Sequence, residues 1–235
     1  MSAVSSSEIR QEFAKSKVGL VGIGILASLI ILSAVAVITI PIDTFKQWNN
    51  PGKWISYPKT SVPIWINYFM TEKIPEHLIL DNPSAITKDD IISLTSHQFS
   101  VQYYYDDFPS DFIYEFSVEY SGSQLLQISV IRPDQSQILL LSRSLPHSDT
   151  NIIHHERIFS TDNTIKKNIQ IHFSEMGFYN QSTSSEDMIF ANKDGQVLKG
   201  DYLFLLNIYG VEEKVKIIDS KLILGGKAYG MMGTD

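Results

Sequence analysis

The chain contains no cysteine. Disulfides and thiolate metal sites are therefore excluded, and any folded domain must be held by its apolar core. Basic residues are also in the minority, with 19 Lys and Arg against 26 Asp and Glu and a net charge of −7. An acidic chain lacks the basic patch that a phosphate backbone demands, which argues against nucleic acid as a partner. The motifs of phosphate and acyl chemistry are missing too. Gly225-Gly226-Lys227-Ala228-Tyr229-Gly230 lacks the Gly-x-x-x-x-Gly-Lys-Ser/Thr spacing of a phosphate loop, and no Gly-x-Ser-x-Gly elbow occurs. With no acid pair spaced beside a histidine, no catalytic residue is assigned, no cofactor is expected, and the chain is not expected to be an enzyme. There is no internal repeat and no long low-complexity tract.

The most telling absence is charge between Val18 and Ile42, a run closed by Lys17 on one side and Asp43 on the other. As a helix it is about 37 Å long at roughly 1.5 Å per residue. That suffices to cross a hydrocarbon core of about 30 Å with some tilt. A buried helix of a soluble domain rarely stays apolar on every face for this length. Residues 18–42 therefore read as a single transmembrane helix. The rival is a cleaved signal peptide, and Ala34-Val35-Ala36 has the small-x-small form of a cleavage site. It lies inside the apolar run, however, and that run exceeds the roughly 7–15 residues of a signal core. Arg10, Lys15 and Lys17 precede the span, whereas Lys46, Lys53 and Lys59 follow at greater distances. This bias makes residues 1–17 a cytoplasmic leader and places the bulk of the chain outside the cell membrane. Ser5-x-x-Glu8 in that leader resembles a capping box, with Ile9 and Phe13 on one face of a short interfacial helix. Within the span, Gly24 and Ser28 form a small-xxx-small pair of the kind that lets a second helix approach.

Beyond the span, residues 43–64 hold Trp48, Trp54, Pro58 and the Asn49-Asn50-Pro51-Gly52 turn. They read as a connector along the membrane surface, its tryptophans at headgroup level. Residues 65–224 read as an extracytoplasmic β-domain. Phe99, Val101, Tyr103 and Tyr105 alternate with polar neighbours, as do Phe112, Tyr114, Phe116, Val118 and Tyr120. Period-two alternation puts one face inside. Further strands are predicted at 124–131 and 137–143, around a turn at Arg132-Pro133-Asp134-Gln135. Four sequential strands with short breaks read as an antiparallel meander. Residues 201–209 and 213–224 read as a second hairpin around Gly210. Residues 161–176 carry Ile165, Ile169, His172 or Phe173, and Met176 at helical spacing, with Gly177 as a stop; Asn168–Phe173 also alternates like a strand, and the helix is the preferred reading. Residues 180–187 read as an exposed polar loop. The predicted architecture is an antiparallel β-sandwich with one or two short helices. Its predicted core includes Phe112, Tyr114, Phe116, Val118, Leu126, Ile128 and Val130.

Three groups of residues invite a functional reading. His147, His154, His155 and Glu156 are a metal-like grouping, but adjacent histidines on a strand point to opposite faces, so no metal site is assigned. Tyr103-Tyr104-Tyr105-Asp106-Asp107 is either an aromatic binding surface or, as is commoner, core on one face and plain surface on the other. Asn180-Gln181-Ser182 has the form of an N-glycosylation sequon on a surface loop.

The two ends of the chain resemble a known family. Phe13-Ala14-Lys15-Ser16-Lys17-Val18-Gly19-Leu20-Val21-Gly22 is similar to the entry of the first membrane helix of dipeptide/oligopeptide/nickel-type ABC transporter permeases. Ile40-Pro41-Ile42-Asp43 resembles the proline–acid step at that helix's end. Tyr229-Gly230-Met231-Met232-Gly233-Thr234-Asp235 looks like the opening of the family's Leu-Gly-Thr-Asp-x-x-Gly-Arg-Asp motif, with Gly233, Thr234 and Asp235 as the matching positions. The likeness covers only these ends. The stretch between them is greatly enlarged, the Gly-Arg-Asp half of the motif is absent, and so are the later membrane helices and the coupling loop. The resemblance implies the N-terminal part of a longer permease, or a separate polypeptide that completes one. It further implies an importer of peptides or related small solutes, with two cytoplasmic ATPases, a second permease subunit and an extracytoplasmic solute-binding protein as partners. The β-domain would serve docking, gating or assembly. The alternative reading is a single-pass anchored β-sandwich that binds a ligand or protein. If the permease reading holds, the β-domain begins and ends near the membrane, with Trp48 and Tyr229 at interface level, residues 225–235 as the membrane-returning tail, and Gly225, Gly226 and Gly230 as a flexible re-entry.

Overall fold

The structure, a computed structural model, describes residues 16–47, 49–50, 61–89, 93–175, 184–210 and 215–227. The chain divides into two compact units, Met1–Lys53 and Trp54–Asp235. In the first, helix α1 (Lys17–Thr39) starts at Ser16, whose Oγ accepts a hydrogen bond from the Gly19 amide at 3.3 Å. It ends at Ile40, which adopts extended geometry before Pro41, as the ring of a following proline favours. Helix α2 (Ile42–Gln47) follows. Successive residues of a helix turn by about 100°, so Leu29, Ile30, Ile31 and Leu32 face different ways, yet all four are exposed. This is not the one-sided burial of a helix in a soluble core. Length and composition suffice for α1 to cross a membrane. A Cβ added at Gly22 or Gly24 would meet nothing within 4 Å, so the small-residue face stands open. The leader's capping box, Trp48, Trp54 and Tyr229 lie outside the described residues.

The second unit is a β-sandwich. One antiparallel sheet has four strands in the order β1 (Leu78–Leu80), β9 (Lys216–Leu224), β4 (Phe112–Gly122) and β7 (Ser148–Phe159). The other has five: β2 (Ala85–Asp89), β3 (Leu94–Tyr103), β8 (Gly200–Gly210), β5 (Gln124–Ile131) and β6 (Gln137–Ser144). The predicted inward positions are inward. Phe112, Tyr114, Phe116, Val118 and Tyr120 meet Phe99, Val101, Leu126, Ile128, Val130 and Phe204 in one core, all nearly devoid of solvent exposure. Aromatic edges interlock across it, Tyr114 lying 6.3 Å from Phe204 and 6.4 Å from Phe99.

The predicted meander is corrected. Of its four strands only β5 and β6 form a hairpin, whereas β3 pairs with β2 and β8, and β4 pairs with β7 and β9. Alternation reports which face of a strand is buried, and both sheets of a sandwich bury one face in the same core. The short breaks at 104–111 and 121–123 are crossings between sheets, the second helped by Gly122 at φ +72°. The predicted hairpin around Gly210 fails for the same reason, since β8 and β9 belong to opposite sheets.

Two helices complete the core. Helix α3 (Asn163–Glu175), predicted over 161–176, buries Ile165, Ile169 and Phe173. A bulge pairs Ile128 with Leu141 and Ser129 with Leu139, which leaves Leu140 without a strand partner. The Asn168 side-chain amide donates to the Leu140 carbonyl at 3.0 Å. Helix α4 (Ser185–Phe190) falls where an exposed loop was expected, and its Ser185, Glu186, Met188, Ile189 and Phe190 are buried. Phe190 lies 4.7 Å from Tyr103 and 4.5 Å from Tyr202, ring centre to ring centre.

The two ends of the sandwich are joined. The Val62 amide donates to the Lys227 carbonyl at 2.9 Å, and the Lys227 amide to Pro75 at 3.1 Å. Gly225 exchanges backbone bonds with Ser110 and Asp111. Glycine is required here for close approach rather than for freedom. A Cβ on Gly226 would lie 2.6 Å from the His77 backbone nitrogen, and one on Gly225 would overlap Ser110 and Asp111. This corrects the flexible re-entry expected at Gly225 and Gly226. Gly230 and residues 228–235 lie outside the described residues.

Candidate functional site

The outward face of the four-stranded sheet carries a depression of about 460 Å³, lined mainly by residues with polar or charged side chains. Strand β4 runs through its middle and presents Glu115 and Ser117. The register sets Glu115 between Lys221 of β9 and Arg157 of β7, and Ser117 between Asp219 and His155. Charges of opposite sign are thus matched across strands. Arg157 Nε lies 2.5 Å from Glu115 Oε1, and Lys221 Nζ lies 3.1 Å from Asp81. Ser117 Oγ is 2.7 Å from His155 Nδ1.

Serine, histidine and aspartate on one face invite comparison with a nucleophilic triad. The order across the strands is Asp219, Ser117, His155, which puts the carboxylate beside the hydroxyl rather than behind the imidazole. A triad needs the acid on the far nitrogen of the histidine, where it holds the tautomer and supports the imidazolium. The ladder as built offers a row of hydrogen-bonding and charged groups of both signs. Such a row can recognise a polar partner or solute.

Of the functional candidates singled out in the sequence, only His155 and Glu156 line this depression. His155 points out to Ser117, while His154 points inward, its Nε2 3.4 Å from Glu156 and its ring 6.3 Å from Tyr120. Burial and the neighbouring Arg143 push the His154 pKa down. His147 stands apart, 3.0 Å from Ser123 and 3.1 Å from Asp149. Among the described residues no three His, Asp or Glu side chains are grouped to hold a metal ion. Tyr103 and Tyr105 are core, and of the three tyrosines only Tyr104 is exposed. Asp106 pairs with Lys199, which lowers its pKa, and Asp107 pairs with Lys227 at 2.5 Å. Asn180, Gly233, Thr234 and Asp235 lie outside the described residues. The Lys221–Glu115–Arg157 row was not singled out in the sequence, although Glu115 and Ser117 do occupy outward positions of a clearly alternating strand.

A second polar contact lies inside the sandwich. His97 Nδ1 of β3 is 2.7 Å from Ser220 Oγ of β9, which ties one sheet to the other. Burial, with Lys88 adding to it, pushes the His97 pKa down, so the neutral ring is the stable form.

No protein-family model matches the chain, and no curated protein matches it. Among solved structures it is similar to TmCBM61 in complex with beta-1,4-galactotriose, at 9% identity over 72% of this chain and 95% of that chain, with a TM-score of 0.22. It is also similar to a chain of infectious bursal disease virus Gx strain, at 8% identity over 66% of this chain and 32% of that chain, with a TM-score of 0.23. Similarity at this level carries no argument about ligand or function.

Proposed function

We propose that the chain is the N-terminal portion of a membrane permease of the peptide-importing ABC type, with its β-sandwich set between the first and second membrane helices. The observation that carries this reading is the seam at Val62 and Lys227. A domain inserted between two consecutive helices must leave and return at one place, and here Val62, ahead of the first strand, is hydrogen-bonded to Lys227, just after the last. Gly233-Thr234-Asp235 follows that seam by only a few residues. The apolar, all-round exposed helix α1 supplies the first span. In this reading the sandwich performs docking, gating or assembly on the extracytoplasmic side of the cell membrane. The Lys221–Glu115–Arg157 face is the surface offered to a solute-binding protein or to the second permease subunit. Reading the gene past Asp235 tests it. A continuing Gly-Arg-Asp and five further apolar runs support the permease. Purification of the native membrane complex without any ABC ATPase overturns it.

The second reading is a membrane-anchored β-sandwich that binds a ligand or protein partner by the same face. It is favoured by the sandwich having one continuous core of its own, drawn from both sheets and both of its helices among the described residues. A stop codon directly after Asp235, with no permease gene adjacent, selects it.

A further inference from the structure

Next to the seam, the chain displays an aromatic projection that neither sheet uses. Ile64–Tyr68 form a 3-10 turn, and Ile64, Trp65, Tyr68 and Phe69 stand 57%, 58%, 83% and 82% exposed. Trp65 and Phe69 meet edge to face, 6.3 Å between ring centres. Large apolar side chains left this open mark a surface with a partner.

The projection is held firmly from beneath. Asn67 accepts from the Ile74 amide and donates to the Ile74 carbonyl, both at 3.0 Å, and it also donates to Glu76 at 3.2 Å. The Lys73 ammonium bends back onto the Asn67 carbonyl and onto the Met70 carbonyl. Its charge is thereby drawn into the base of the loop. No charged residue occurs from Thr60 to Thr71. What remains at the tip is one indole, one phenol, one phenyl ring and an isoleucine.

We infer that this loop, Pro63–Met70, is a lipid-interface anchor that seats the sandwich on the bilayer surface. The inference rests on the membrane reading above. Three observations select lipid as the occupant. Tryptophan and tyrosine, each with an apolar body and a polar tip, are the side chains that favour the headgroup boundary. The rings project from the loop, as a wedge for a fluid boundary does, rather than lining a groove shaped for a peptide. Only residues 40–62 separate the loop from α1, so any bilayer that holds α1 is presented to the loop at high effective concentration. The Val62–Lys227 seam adjoins the loop. Seating the loop therefore brings both ends of the sandwich to the same surface, as a domain set between two membrane helices requires.

The test uses the full chain with Trp48→Phe and Trp54→Phe, which leaves Trp65 as the sole indole, reconstituted into phosphatidylcholine vesicles. Bromine-labelled acyl chains should remove most of the Trp65 emission, and aqueous iodide should leave it nearly unchanged. A control carrying Trp65→Phe and Ile153→Trp, on exposed strand β7, should show the reverse. A chain that floats with the vesicles while Trp65 stays open to iodide and blind to bromolipid overturns this inference and leaves the membrane reading intact. Shielding that appears only when another protein is added assigns the loop to that protein and also overturns it. A chain that fails to float overturns both.

Discussion

Helix α1 and the β-sandwich are built from the same aliphatic side chains and dispose of them in opposite ways. In α1, leucines and isoleucines are exposed around the whole circumference. In the sandwich, Leu126, Ile128, Leu206 and Ile208 are sealed between two sheets. The sandwich makes its own apolar solvent, and α1 requires one from outside. The difference teaches that these are two independent hydrophobic problems, and that damage to one should leave the other intact.

The largest effect expected is in the sandwich. Phe116→Ala removes a ring that is 3% exposed and should cost about 3–5 kcal/mol of folding free energy. Denaturant melting of the full chain in detergent measures it, with α1 helicity unchanged. Ile30→Arg makes the reciprocal break. Placing arginine at the middle of the span should disfavour insertion by about 2.5–3.5 kcal/mol. Membrane fractionation should show the loss while the sandwich melts as before. If either substitution weakens both units, the division between them is wrong.

Gly226→Ala is expected next, at about 1–3 kcal/mol, because the new methyl meets backbone and the seam must shift. The readout is faster amide exchange at Lys227 and Val62 ahead of the strands. The smallest effect is the pH response. His97 and His154 have folded pKa values below the ordinary 6.5. The unfolded chain therefore binds protons more readily than the folded one as pH falls. Stability should be full above about pH 6.5 and decline below it. His97→Gln should flatten part of that slope, as read from midpoints across a pH series.

Much of this was legible beforehand, and the limits have physical causes. Runs such as Phe112-x-Tyr114-x-Phe116 announce a strand and its buried face, because side chains alternate on a pleat. They do not announce a partner. Ser117 pairs with His155 on one side and Asp219 on the other, both far along the chain, and nothing local encodes that choice. Hence the core was readable while the meander was not. The ladder of charges depends on the same long-range register, so it was equally hidden. Helix α4 was missed because Ser184–Asp187 is polar, although Ser184 Oγ accepts from the Asp187 amide at 3.0 Å and three apolar residues follow. That was a helix start read as a loop.

The central claim is that α1 remains in the mature chain and holds the sandwich at a membrane. Alkaline carbonate extraction of native membranes, with the intact mass of the recovered chain, tests it directly. The account predicts a chain that resists extraction and still contains Lys17–Thr39. A carbonate-soluble chain that begins after Ala36 would contradict it.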